Sequence, residues 1–349
     1  MLPPFGWSAV LTQWQFAPVV TAFTVIAAAL YGWGVVRVAR RHPARPWPMW
    51  RTGMFAAGLA VIVIATQSGV GAYDDLLFYD HMVQHLMLLM VAPPLLIAGQ
   101  PITLLMHASR NPVHRWTKRA LRSRVASFLT WPVFGAVAYI VAVVGAHLTN
   151  VANLVETNPA LHDAEHAVFL IVGYLFFLPL IGREPIRWRL GYPMRFVILV
   201  LIMPVDTFTG IVLGYGGAGT PGLPTGPRPS WALSPISDLH AGGAVMWIGG
   251  DAIMFGLMML VYLMWSLDDR DVASSHGWLE RVRKANMASL VAANQPAPAS
   301  PAGPADGSKP DSVAAGNWSD RGGIDDDEHL AAYNAFLSRL NQGRPGPDK

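Results

Sequence analysis

The chain has no cysteine. Disulfides and thiolate metal ligands are therefore excluded, and any bound transition metal must rely on nitrogen, oxygen or thioether donors. Charge is also scarce. Of 349 residues, 13% are Asp, Glu, Lys or Arg, whereas 52% are hydrophobic. The formal charge of +3 comes from the basic loops, so it reads as membrane topology rather than as a nucleic-acid surface. Residues 1–16 lack a basic n-region, and no small-residue cleavage site follows the first apolar run, so no removable signal peptide is expected.

Apolar runs lie near 17–38, 52–70, 78–99, 126–148, 164–181, 196–216 and 240–265. Each is long enough to cross hydrocarbon, and in lipid each must be helical so that its backbone groups find partners within the segment. The expected fold is all-α: a polytopic cell-membrane protein with seven transmembrane helices in residues 1–270. Arg37, Arg40, Arg41, Arg45 and Arg51 fill the first connection. Arg110, Arg115, Lys118, Arg119, Arg122 and Arg124 fill the third, and Arg183, Arg187, Arg189 and Arg195 the fifth. The alternate connections hold only Arg228. Positive loops face the cytoplasm, which puts the N-terminus outside and the C-terminus inside. The loop 110–124 is also suited to anionic lipid. Residues 271–324, first basic and then rich in Pro, Ala and Ser, read as a flexible cytoplasmic linker. Residues 325–341 pair an acidic first turn with an apolar stripe of Leu330, Tyr333, Phe336, Leu337 and Leu340, the pattern of a short amphipathic helix.

Against this apolar background stand two histidine pairs. His81 and His85 open the third run, and His162 and His166 flank the start of the fifth. Helical residues four apart are neighbours, with roughly 6 Å between their Cβ atoms, so each pair can share one metal ion. His240 opens the seventh run, and His147 closes the fourth. The topology places all six at the outer end. The expected metal ligands are His81, His85, His162, His166 and His240. Asp238 stands beside His240 as a ligand, an acceptor behind a ligand or the N-cap of the last helix. His147 reads more simply as a hydrogen-bonding residue. Imidazole suits copper and zinc. Met82, Met87 and Met90 would favour Cu(I), but only Met82 lies at the right height, and on an ideal helix it points about 100° away from His81.

Other chemistries use the same residues. His162-Asp-Ala-Glu-His166 fits the inverted zinc-protease pattern with Glu165 as base, but no soluble domain is present to hold a substrate, and the expectation is a protein that is not an enzyme. Haem b, ligated by one histidine from each pair, would leave the other two without a role. A copper or solute transporter would instead use the deep acids Asp206 and Asp251. Asp251 lies eleven residues beyond His240, nearly on its face, roughly 16 Å along the helix axis. A proton path, a hydrogen bond between Asp206 and Asp251 and a polar packing clamp all remain open for these acids.

The stretch His81-Met-Val-Gln-His-Leu-Met-Leu-Leu-Met-Val-Ala-Pro-Pro-Leu-Leu-Ile-Ala-Gly-Gln-Pro101 closely resembles the CtaG family of cytochrome c oxidase assembly factors, of the multi-span type found in Gram-positive bacteria. His162…His166, Pro204-Val-Asp206 and Asp238…Gly242-Gly-Ala-Val-Met-Trp247 are similar to its later blocks, and the tail helix to the ending of actinobacterial members. In the last block this chain has Asp238-Leu-His240 where the family pattern has Asp-Gln. The resemblance covers roughly residues 15–268. It implies a metallochaperone-like role in the respiratory chain: supplying copper to the catalytic subunit of the oxidase. An unrelated copper chaperone of the same name works through cysteines, which this chain lacks.

Overall fold

The computed structural model describes residues 3–268, except 45, 189, 222 and 224–227, together with residue 283. The chain divides into two compact units, Met1–Val282 and Arg283–Lys349, and the architecture below belongs to the first. The expected linker at 271–324 and amphipathic helix at 325–341 lie outside the described residues.

All elements among the described residues are helical. Helix α1 is Pro18–Arg41 and α2 is Met49–Gln67. Helix α3 runs Phe78–Leu86, widens into a π turn at Met87–Val91 and resumes at Ala92–Ala98. Helices α4 and α5 are Pro132–Leu148 and Pro159–Ile181. Helix α6 is Tyr192–Gly214, and α7 spans Pro235–Asp268 with its own π turn at Val245–Gly249. Six helices are long and apolar enough to cross a membrane, and the protein is a multi-pass membrane protein. Of the seven expected spans, the fourth forms only the 17-residue α4, shorter than the other six. Leu30, Ile171, Leu201 and Phe255 stay exposed on the rim, as lipid-facing positions require.

Helix α3 is the axis of the bundle. It packs against α2, α5 and α7, while α4 packs on α5 and α6 on α7. The π turn of α3 has a local cause. Pro93 and Pro94 withhold two N–H donors, and their rings need room against the preceding turn. The chain widens just before them, so that Ala92 N–H reaches back to the Met87 carbonyl. The second π turn explains a departure from the sequence pattern. On an ideal helix Trp247 continues the stripe of half-buried Asp251 and buried Met254 and Met258. The extra residue of the turn passes that place to Met246, buried at 4%, and rotates Trp247 outward.

Glycine brings α5 onto α3. A Cβ at Gly173 would lie 2.1 Å from the Leu89 carbonyl oxygen, so only a bare Cα allows the two backbones to meet in the bilayer. At the opposite end from the histidines, the basic connections are tied together. Arg41 Nη1 donates to the Ala108 carbonyl at 2.6 Å, and Tyr31 Oη donates to the Gly99 carbonyl at 2.8 Å. The Glu184 carboxylate accepts from the N–H groups of Ile102 and Thr103, at 3.1 and 2.8 Å, and so caps the short helix Pro101–Ala108. Burial holds Glu184 above the usual carboxylate range.

Gly173→Ala is expected to destabilise the bundle by about 1–3 kcal/mol through overpacking. Thermal unfolding in detergent reads this against Gly145→Ala, where the added methyl meets nothing within 4 Å and no shift is expected.

Candidate metal centre

Helices α3 and α5 start at the same end of the bundle and run parallel from it. At Asn158, whose Oδ1 accepts from the N–H groups of Ala160 and Leu161, a side-chain cap starts α5, with Pro159 in the first helical position. His162 therefore falls in the first turn and His166 in the second. Helix α3 is capped from outside. Asp238 of α7 accepts from Phe78 N–H at 2.9 Å and Tyr79 N–H at 3.1 Å and pairs with Arg228. The N-cap of α7 is Ser234 rather than Asp238.

The two pairs meet. Ring centroids lie 4.0 Å apart for His81 and His85 and 4.5 Å for His162 and His166. Across the helices they lie 5.1 Å apart for His81 and His162 and 6.3 Å for His85 and His166. Glu165 reaches between them, with Oε2 3.4 Å from His85 Nε2 and 3.7 Å from His81 Nε2. Phe169 stacks on the His85 ring at 4.2 Å and fixes its plane. His147 of α4 joins as a fifth imidazole. Its Nε2 is 3.1 Å from His85 Nδ1, and its Nδ1 donates to the Val143 carbonyl at 2.7 Å.

Donor atoms of His81, His85 and His166 all lie within 4.8 Å of one another, a group that could hold a metal ion. The same spacing joins His81, His162 and Glu165, and it joins Asp74, His162 and His166. His85 Nε2, His166 Nε2 and Glu165 Oε2 are buried without a hydrogen-bond partner. Leaving such atoms bare costs about 1–3 kcal/mol each unless a ligand engages them. The mouth of the cavity is acidic. His162 Nδ1 donates to Asp75 Oδ1 at 3.0 Å, and Gln84 Nε2 donates to Asp74 Oδ2 at 2.8 Å. Burial pushes the Asp74 carboxyl up to about 6, while the bond from His162 holds Asp75 below its ordinary value. Sequence reasoning missed both acids. Their signal is an Asp-Asp dipeptide just ahead of the histidine helix, in a connection scanned for basic residues alone.

A family model described as cytochrome c oxidase caa3 assembly factor matches residues 29–267. The chain belongs to this family. It is 32% identical over 282 residues to uncharacterized proteins of Mycobacterium bovis and Mycobacterium tuberculosis, a match covering 76% of this chain and 41% of each relative. It is 28% identical over 270 residues to an uncharacterized protein of Mycobacterium leprae, covering 75% of this chain and 41% of the relative. The chain thus spans less than half the length of the curated relatives it matches. No solved structure matches.

The caa3 assembly-factor match contains the whole cluster and also the residues that stand apart from it. His240 is exposed, and its Nε2 lies 2.9 Å from the Gly216 carbonyl. It belongs to none of the three candidate metal groups among the described residues. The reason is rotation: His240 is two residues past Asp238, and Asp238 is the side chain that α7 turns toward α3. The deep acids are also separate from each other. Asp206 accepts from Tyr139 Oη at 2.8 Å, and Asp251 accepts from Thr207 Oγ1 at 2.8 Å. Each is tied to a hydroxyl, and no hydrogen bond joins the two acids among the described residues.

Asp238→Ala removes the acceptor for two backbone donors and the partner of Arg228. It is expected to destabilise the fold by about 1–3 kcal/mol. Amide exchange at Phe78 and Tyr79 should accelerate, whereas His240→Ala should leave both exchange and stability unchanged.

Proposed function

We propose that this protein is a non-catalytic assembly factor that holds a copper ion at the histidine cluster and passes it to the catalytic subunit of cytochrome c oxidase. The observation that carries this reading is that donor atoms of His81, His85 and His166 lie within 4.8 Å of one another, while His85 Nε2, His166 Nε2 and the nearby Glu165 Oε2 are each buried without a hydrogen-bond partner. Family membership supplies the assembly context. The bundle supplies a site inside a membrane protein, from which the ion can move by ligand exchange to a neighbouring membrane subunit without release to water.

Charge supports the monovalent ion. The one carboxylate set among the three nitrogens, Glu165, matches the single charge of Cu(I), while the side chain of Asp75 at the mouth is exposed to solvent. Imidazole donors suit copper. His162 Nε2 lies 3.3 Å from His81 Nδ1, which leaves no slot for a porphyrin between those two rings. The positive-inside argument assigns the cluster to the outer face and keeps seven spans in count.

His81→Ala and His85→Ala are each expected to lower bound copper and cellular oxidase activity without lowering the abundance of this protein, and His240→Ala to leave copper content unchanged. Metal analysis of the purified protein checks this. Full copper stoichiometry in the His81/His85 double variant would refute the site, and a Soret band in the visible spectrum would transfer the assignment to haem.

A further inference from the structure

Two of the five clustered imidazoles face the other three in a particular way. The Val143 carbonyl can only accept, so His147 Nδ1 must carry the proton in the contact of 2.7 Å. In the neutral ring that leaves His147 Nε2 as an acceptor, and His85 Nδ1, 3.1 Å away, must then donate to it. His85 Nε2 is left with a lone pair directed at the cluster centre. A second chain repeats this logic. The Asp75 carboxylate accepts from His162 Nδ1 at 3.0 Å, which in the neutral ring leaves His162 Nε2 as the acceptor for His81 Nδ1 at 3.3 Å. His81 Nε2 is then also bare.

Both bare nitrogens flank Glu165 Oε2, at 3.4 and 3.7 Å. These separations are longer than a charge-assisted N–H···O⁻ bond, as expected where neither nitrogen carries a proton. His166 Nε2 is buried and unpartnered beside them.

We propose that His147 and His162 are positioning residues rather than ligands. Two imidazole relays, Val143 carbonyl–His147–His85 and Asp75–His162–His81, lock the tautomers of His85 and His81 so that both present Nε2 to one ion, with His166 as the third nitrogen and Glu165 as the counter-charge. The metal need not displace a proton from either nitrogen, because metal binding requires the unprotonated face of the ring. The proposal rests on the copper reading above and narrows its ligand set from four clustered histidines to three. Partners behind ligating histidines commonly change metal affinity by about 10–100-fold when removed.

The test uses the full-length protein in detergent and two independent readouts. In the copper-free protein labelled with 15N-histidine, with signals assigned by single His→Gln variants, His81 and His85 are expected to be protonated at Nδ1 and bare at Nε2. Protonation of His85 at Nε2 would overturn the first relay, and protonation of His81 at Nε2 the second. Cu(I) titration is expected to show a loss in affinity of about 10–100-fold for His147→Leu and Asp75→Ala, with stoichiometry retained. His147→Gln is expected to recover most of the loss, because its amide can donate to Val143 and accept from His85. Asp75 has an exposed side chain (83%), so its removal leaves the packing intact and keeps the second relay testable even if His147→Leu fails to fold. Unchanged affinity in Asp75→Ala, or loss of one bound ion in His162→Gln, would overturn the positioning role. Absence of Cu(I) binding by the unaltered protein would instead refute the copper reading, while the 15N pattern would still decide the tautomers.

Discussion

The backbone contact between Gly173 and Leu89 sets the rest of the structure. It fixes the depth of α5 against α3, two parallel helices. His166 lies seven residues before Gly173 and His81 eight before Leu89, or roughly 10–12 Å along each axis, so the contact brings the two to one level. Any side chain at position 173 would push the helices apart and open the cluster. The π turn takes part in the same contact, since Leu89 sits within Met87–Val91 and owes its placement to the prolines that follow. Backbone geometry deep in the bundle thus determines whether imidazoles near its end can share an ion.

Carboxylates from elsewhere in the chain cap α3 and the short helix that follows it. Asp238 accepts from the first N–H groups of Phe78–Leu86, and Glu184 accepts from those of Pro101–Ala108. Each lies near the N-terminus of a helical segment, where backbone donors lack intrahelical partners and negative charge is favoured. In a chain with few charges, placing two of its acids at such positions reflects how costly an unsatisfied backbone group is near hydrocarbon. The remaining deep acids are fixed by hydroxyls, Asp206 by Tyr139 and Asp251 by Thr207. These bonds hold each acid to a hydroxyl of a neighbouring helical segment.

Much of the architecture was legible in the residues. The apolar runs matched helices to within a few positions, apart from α4, which came out shorter. The starts of α5 and α7 fell about five residues earlier than the hydropathy suggested. Asn158-Pro159 and Ser234-Pro235 are cap signals that hydropathy does not weigh. Within each pair the rings are neighbours, as the four-residue spacing requires, and the two pairs meet across α3 and α5. His147, read as a hydrogen-bonding residue, does hydrogen-bond, but to a clustered histidine and a carbonyl. His240 did not join the cluster, and the acids Asp74 and Asp75 did.

By itself, the sequence determined that this chain is an α-helical membrane protein, that any metal it binds is held without thiolates, and the family to which it belongs. These follow from hydropathy, residue type and spacing along one helix, all local or additive along the chain. Only the tertiary structure decided which imidazoles share a centre, which nitrogen each turns toward it and which carboxylate stands among them. Those outcomes depend on helix rotation and depth. Both are set by a glycine contact between two helices, by a π turn and by a cap donated from a third helix, and each of these is a relation between distant parts of the chain.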